Sequence, residues 1–86
     1  MKQINLLRNK IDNIDNQILV LLKQRVEICK NIGSLKKKFS MAVQDSSRES
    51  YIYEQVKKIA NELGLDSEKI DLIFHQIVNM CSAVQN

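Results

Sequence analysis

Apolar residues recur along the first part of the chain at Ile4, Leu7, Ile11, Ile14, Ile18, Leu21, Ile28, Ile32 and Leu35, in alternating steps of three and four, and Arg25 fills the one gap in the series. That alternation is the seam of an amphipathic helix made to pack against other helices, and it predicts one helix from about Ile4 to about Lys38. Gly33 alone does not stop it, since a glycine inside a helix costs only about 1 kcal/mol relative to alanine. The periodicity lapses from Phe39 to Ser47, which reads as a loop. Asp45 or Ser46 can then cap a second helix, and Ser46 with Glu49 three residues later has the pattern of a capping box. This helix turns Ile52, Val56, Ile59, Ala60 and Leu63 inward and ends at Gly64, the residue best suited to a left-handed C-terminal position. Asp66 or Ser67 opens a third helix, whose apolar positions Ile70, Ile73, Phe74, Ile77, Val78, Cys81 and Val84 run to the end of the sequence. The expected fold is all-α, with one long and two shorter helices in a single domain over residues 1–86.

The length of the first helix carries a second expectation. At 1.5 Å per residue it spans roughly 50 Å, whereas a compact globule of this chain length has a radius of gyration of only about 12 Å. The rest of the chain cannot wrap such a helix, so its seam calls for a second copy. The pattern predicts a homodimer with the long helices packed together and the shorter ones folded over them.

Arg25 sets a guanidinium on the stripe where burial is expected. The residues three and four away are Leu21, Leu22, Ile28 and Cys29, so no intrahelical partner stands at the right spacing. Two readings remain open. The stem can slide along the seam and carry the head to water or to a carboxylate on another helix, or the head can bind a carboxylate ligand through two parallel hydrogen bonds.

Composition narrows the class further. The chain has no proline, two glycines and 44% hydrophobic residues, which suits an all-helical domain with a core that is small for a monomer. Its two cysteines lie outside any CxxC motif, and His75 is its one histidine, so neither a disulfide framework nor a metal site is expected. The longest apolar run, Ile18 to Leu22, is far short of a membrane span, and the N-terminus lacks the apolar core of a secretory signal. A soluble cytoplasmic protein is expected. The formal charge of +3 favours anionic partners only mildly. Lys36, Lys37 and Lys38 suit the end of a helix, the basic residues form no single long stripe, and Tyr51 and Tyr53 belong to no RNA-binding motif. No nucleic-acid or membrane partner is expected.

The run Leu7-Arg8-Asn9-Lys10-Ile11-Asp12-Asn13-Ile14-Asp15 is followed by Arg25, by Ile32-Gly33-Ser34-Leu35-Lys36, by Asp45-Ser46-Ser47-Arg48-Glu49 and by Gln85. In order and spacing this set resembles the all-helical chorismate mutases of the AroQ class, and the resemblance covers the chain from about Leu6 onward. It implies an intertwined dimer of three-helix subunits with two equivalent sites, each completed by an arginine from the other subunit's long helix. By matching position, Arg8 would cross into the neighbouring site to hold one substrate carboxylate, and Arg25 would hold the other from within its own subunit. Lys36 would lie between a carboxylate and the ether oxygen of the bond that breaks, and Gln85 would donate to that same oxygen. Glu49 would accept from the ring hydroxyl, Asp45 would assist there through its backbone, and Arg48 would support the polar wall. Cys81 stands where some members have serine, and a thiol is the weaker hydrogen-bonding group.

The implied reaction converts chorismate to prephenate on the route to phenylalanine and tyrosine. It is a one-step intramolecular Claisen rearrangement, so an isomerase without cofactor or metal is expected. An isochorismate-pyruvate lyase, which resembles this fold and shares much of the cationic site, is the nearest alternative, although the acid at Glu49 favours the mutase. A non-catalytic helical dimer that binds an anionic ligand is another. Mutases of this type are often fused to a further enzyme of aromatic amino-acid synthesis. This chain has no room for one, so it is expected to be free-standing or an excised domain, and association with a second shikimate-pathway enzyme is compatible with it.

Overall fold

The computed structural model describes residues 1–86 and contains three helices and no strand: α1 (Lys2–Lys38), α2 (Ser46–Glu62) and α3 (Ser67–Ala83). The 37 residues of α1 run unbroken through Gly33 and set the long dimension of a molecule measuring 57 × 24 × 15 Å. Its last turn carries Lys36, Lys37 and Lys38, where cations meet the negative end of the helix dipole. The chain then reverses at Ser40, which adopts a φ of +54°, and the Met41 N–H donates to the Lys36 carbonyl at 2.7 Å.

Of the two candidate caps for α2, Asp45 takes the position, and its carboxylate accepts from the Arg48 N–H at 3.0 Å. The expected Ser46–Glu49 capping box therefore does not form. With Asp45 as the cap, the third residue of the helix is Arg48, and Glu49 is released from capping duty. Gly64 ends this segment at φ +73°, and the Leu65 N–H reaches back to the Ala60 carbonyl at 2.8 Å. Asp66 caps α3 by accepting from the Glu68 and Lys69 N–H groups at 3.1 and 3.2 Å.

α2 packs along α3, α3 packs on the C-terminal part of α1, and the backbones of α1 and α2 do not come together. The core is correspondingly small: Cys29, Gly33, Ala60, Val78 and Cys81 are the buried residues. On α1 the residues that lose solvent are Leu22, Arg25, Val26, Cys29, Gly33 and Lys36. Most of that stripe is displaced by one position from the expected seam, and Ile28, Ile32 and Leu35 stay largely exposed. A helix of 3.6 residues per turn drifts by about 20° per heptad from a strict 3.5-residue repeat, and at Gly33 the missing side chain draws α3 towards its own face of α1. Further back, Leu7, Ile11, Ile14, Ile18 and Leu21 meet nothing within the chain. No helix is long and apolar enough to cross a membrane.

Candidate active site

Because α1 and α2 stand apart, a cleft of about 320 Å³ opens between them, closed beneath by α3. Residues 25, 29, 32 and 36 of α1 share one helix face, and this face gives the cleft Arg25, Cys29, Ile32 and Lys36. The first turn of α2 and its cap contribute Asp45, Arg48 and Glu49. The last turns of α3 bring Val78, Cys81 and Ser82, and Gln85 follows just beyond the helix.

The best-connected pair in the cleft is Lys36 and Gln85. The half-buried Lys36 Nζ donates to the Val43 carbonyl at 2.6 Å and to Gln85 Oε1 at 2.9 Å. An ammonium has three N–H donors, so one remains for a ligand. The same bond orients the glutamine amide. Turned over, it would set an NH₂ group against an ammonium, donor facing donor, so Oε1 stays on Lys36 and Nε2 is the amide's donor, close to the Cys29 thiol of the cleft wall.

Arg25 has no carboxylate partner within the chain, and its Nη1 meets only the Cys29 sulfur, at 3.9 Å. Cys29 and Cys81 are buried free thiols. Burial first, and then the neighbouring Cys81, push the Cys29 thiol above its ordinary range against the pull of the Arg25 guanidinium and of the Gln85 side chain. It is therefore neutral at physiological pH and is no ready nucleophile. Arg48 is exposed, with its guanidinium carbon 5.2 Å from the centre of the Tyr51 ring. Glu49 is half-buried and is the one acid of the cleft not spent on a cap. One turn later, Tyr53 is pushed up by burial, by Glu49 and by Asp71. Its ring stacks on His75 at 3.7 Å, and His75 Nε2 lies 3.5 Å from Asp71 Oδ2. This second cluster lies outside the cleft, and His75 takes no place in it.

The cleft thus gathers Arg25, Lys36, Asp45, Arg48, Glu49, Cys81 and Gln85, and leaves Arg8 out. Arg8 precedes Arg25 by enough helix to lie about 26 Å away along the axis, on a stretch of α1 that nothing covers. Sequence reasoning missed Cys29 as a wall residue, Ser82, the Val43 carbonyl that holds Lys36, and the role of Gly33. A side chain at Gly33 would put its Cβ 2.7 Å from Gln85 Cα, so the segment just past α3 lies directly against the backbone of α1. The one signal for that contact was a glycine inside an otherwise strong helix pattern; the carbonyl left none.

Chemically, three cations face one uncommitted carboxylate, so the cleft suits a ligand with more than one negative charge. It also sets two fixed donors, Lys36 Nζ and Gln85 Nε2, side by side. That arrangement can clamp an anion and stabilise charge developing on one oxygen.

Residues 7–86 match the family described as chorismate mutase type II. The chain is 33% identical over 79 residues to a chorismate mutase of Methanocaldococcus jannaschii, a match covering 92% of this chain and 80% of that protein. It is 30% identical over 88 residues to the bifunctional chorismate mutase/prephenate dehydratase of Aquifex aeolicus, covering 99% of this chain and 24% of that longer protein. In three dimensions it is similar to a conserved hypothetical protein from Pyrococcus furiosus, with a TM-score of 0.78 and 37% identity over 100% of this chain and 99% of the other. The cationic cleft between α1 and α2 is thus built on a chain that belongs to the chorismate mutase type II family.

Proposed function

We propose that this chain is an isomerase that rearranges chorismate to prephenate, serving phenylalanine and tyrosine biosynthesis, and that it works as an intertwined homodimer of single-domain subunits, each formed by residues 1–86. The observation that carries the reading is the Lys36–Gln85 pair, in which Nζ donates to Oε1 at 2.9 Å, in a cleft otherwise rich in unpaired cations.

Arg25 holds one carboxylate of the substrate through its free guanidinium face. Arg8 of the partner subunit holds the other. Clamping both carboxylates fixes the enolpyruvyl arm over the ring in a near-attack geometry, so the entropy of finding that conformer is lost on binding rather than in the chemical step. As the C–O bond lengthens, negative charge gathers on the ether oxygen. The third N–H of Lys36 and the Nε2 of Gln85 donate to it, and each donor already held in place is worth about 3 to 4 kcal/mol. Glu49 accepts from the ring hydroxyl, Asp45 fixes the start of α2 and with it Glu49, and Arg48 lines the outer wall. The Cys81 thiol fills space beside the clamp. A concerted rearrangement leaves the enzyme nothing to deprotonate or attack, in keeping with a neutral Cys29 thiol at the cleft wall.

The homodimer is supported by the open seam from Ile4 to Leu21, which a second α1 would cover. The same crossing would bring Arg8 within reach of a cleft that its own subunit cannot offer. We place the protein in the cytoplasm with its pathway.

The experiment is the loss of chorismate absorbance with purified protein, with the product identified as prephenate by its acid conversion to phenylpyruvate. Turnover at an enzyme-like rate is the expected result. Release of pyruvate and salicylate from isochorismate, without prephenate formation from chorismate, would instead make the protein a lyase. Binding of chorismate without turnover of either substrate would leave a silent anion-binding dimer.

A further inference from the structure

At Gly33, α1 offers bare backbone to the segment that follows α3. A Cβ placed there would lie 2.7 Å from Gln85 Cα, 3.0 Å from Gln85 Cβ and 3.0 Å from the Gln85 carbonyl oxygen. All three contacts are with a single residue, and two of them are with backbone, which cannot swing aside as a flexible side chain would. Gln85 itself lies past the end of α3, where the helical ladder has stopped and its N–H is bonded only to the Ser82 carbonyl at 3.1 Å. Few local bonds fix its position, so the α1 surface against which it rests must do so.

From this close approach we propose that Gly33 is a positioning residue: by lacking a side chain it sets the depth at which Gln85 enters the cleft, and so the place from which Nε2 donates. The proposal rests on the chorismate mutase reading and on the donor role given there to Gln85. Lys36 stands one turn beyond Gly33 on the same helix, and its 2.9 Å bond to Gln85 Oε1 exists only while the end of α3 stays seated. Glycine in the middle of a helix is otherwise a poor choice. Here it lets a residue beyond the end of a helix, not a core residue, be held to an ångström-scale tolerance.

The test is a double-mutant cycle with Gly33→Ala and Gln85→Ala in the assembled protein, reading kcat and KM separately. The added methyl pushes out a segment that lies past the last residue of α3 and outside the buried core, so the three helices persist. Helicity is expected to be kept, because alanine is the better helix former, while the melting temperature falls modestly, because the methyl meets backbone that has to shift. Misplacing one group by about 1 Å can cost on the order of a hundredfold in rate, so Gly33→Ala should lower kcat by at least about tenfold with KM little changed. In the Gln85→Ala background the same change should alter kcat by less than about twofold, since the group it displaces is gone. The side-chain amide resonance of Gln85, assigned by its loss in Gln85→Ala, should shift in Gly33→Ala whatever the turnover.

An equal loss of kcat in both backgrounds, an unmoved amide resonance, or a variant that loses helicity would each overturn the positioning role while leaving the mutase reading intact. Full activity in Gln85→Ala would overturn the donor role of Gln85, and the inference with it. A parent protein that rearranges no chorismate would sink the reading on which both stand.

Discussion

Mixing two inactive variants tests the shared site most directly. On α1, Arg8 lies about 26 Å from Arg25 along the helix axis, too far to enter its own cleft, whose wall begins at Arg25. Arg8→Ala and Arg25→Ala should each lose activity as homodimers. Truncating one side of a desolvated charge pair costs about 2 to 5 kcal/mol, so each loss should be at least about thirtyfold. In a mixed dimer the two defects segregate. The subunit carrying Arg8→Ala keeps its own Arg25 and receives an intact arginine from its partner, so its site is whole. The other site lacks both arginines. Random association of equal amounts makes about half of the dimers mixed, each with one working site of two, so the mixture should recover about a quarter of the parent's specific activity. The variants would be unfolded together in urea, refolded, and assayed for chorismate loss, with separately refolded samples as controls. A mixture no more active than its components, with exchange verified by a mass-tagged subunit, would refute the crossing of Arg8. Full activity in the Arg8→Ala homodimer would remove Arg8 from the site altogether.

Gln85→Glu should be nearly inactive at neutral pH and regain turnover as the pH falls. The Lys36 ammonium beside it would hold the new carboxyl below its usual range, and only the protonated acid can donate. The parent, with an amide that does not titrate, should keep its turnover from neutral to mildly alkaline pH, and a pH–rate comparison of the two checks both statements. The Cys29 thiol is raised in the folded protein above its ordinary value of 9.0, so folding binds its proton more tightly. The stability this contributes is complete below about pH 9 and is lost as pH rises through the higher folded value. Urea midpoints measured across that range should fall, and Cys29→Ala should flatten the decline. Asp45→Ala removes the cap of α2 and should cost about 1 kcal/mol, read as a lower melting temperature, while Ser46→Ala should cost much less because the Ser46 side chain holds no cap hydrogen bond.

The helices were legible because each has a local signature: an apolar period for α1, and Asp45, Gly64 and Asp66 as punctuation for the others. What local pattern could not carry was the choice between neighbouring possibilities that tertiary contact decides. Asp45 and Ser46 were equivalent caps on paper. The stripe of α1 that meets α3 is displaced by about one position from the strongest seam, and periodicity alone does not say which partner a face is for. Within the site, Arg25, Lys36 and Glu49 could be nominated from spacing and family pattern, since ionisable side chains announce themselves. The Val43 carbonyl that holds Lys36 is backbone, identical at every position of the sequence. The contact of Gly33 with Gln85 joins residues far apart in the chain, and its signature is the absence of a side chain.

Within the chain, Lys36 is held by two neutral oxygens, those of Val43 and Gln85, and Arg25 has no carboxylate partner. The folded chain therefore carries a concentration of positive charge that its own contacts do not neutralise, and some of its stability is given up to keep it. Replacing Lys36 with methionine should yield a protein that melts at a higher temperature and turns over poorly, the usual trade between robustness and activity. A dianion filling the cleft should do for the parent what that substitution does for the variant: supply by binding the stability that the amino-acid sequence withholds.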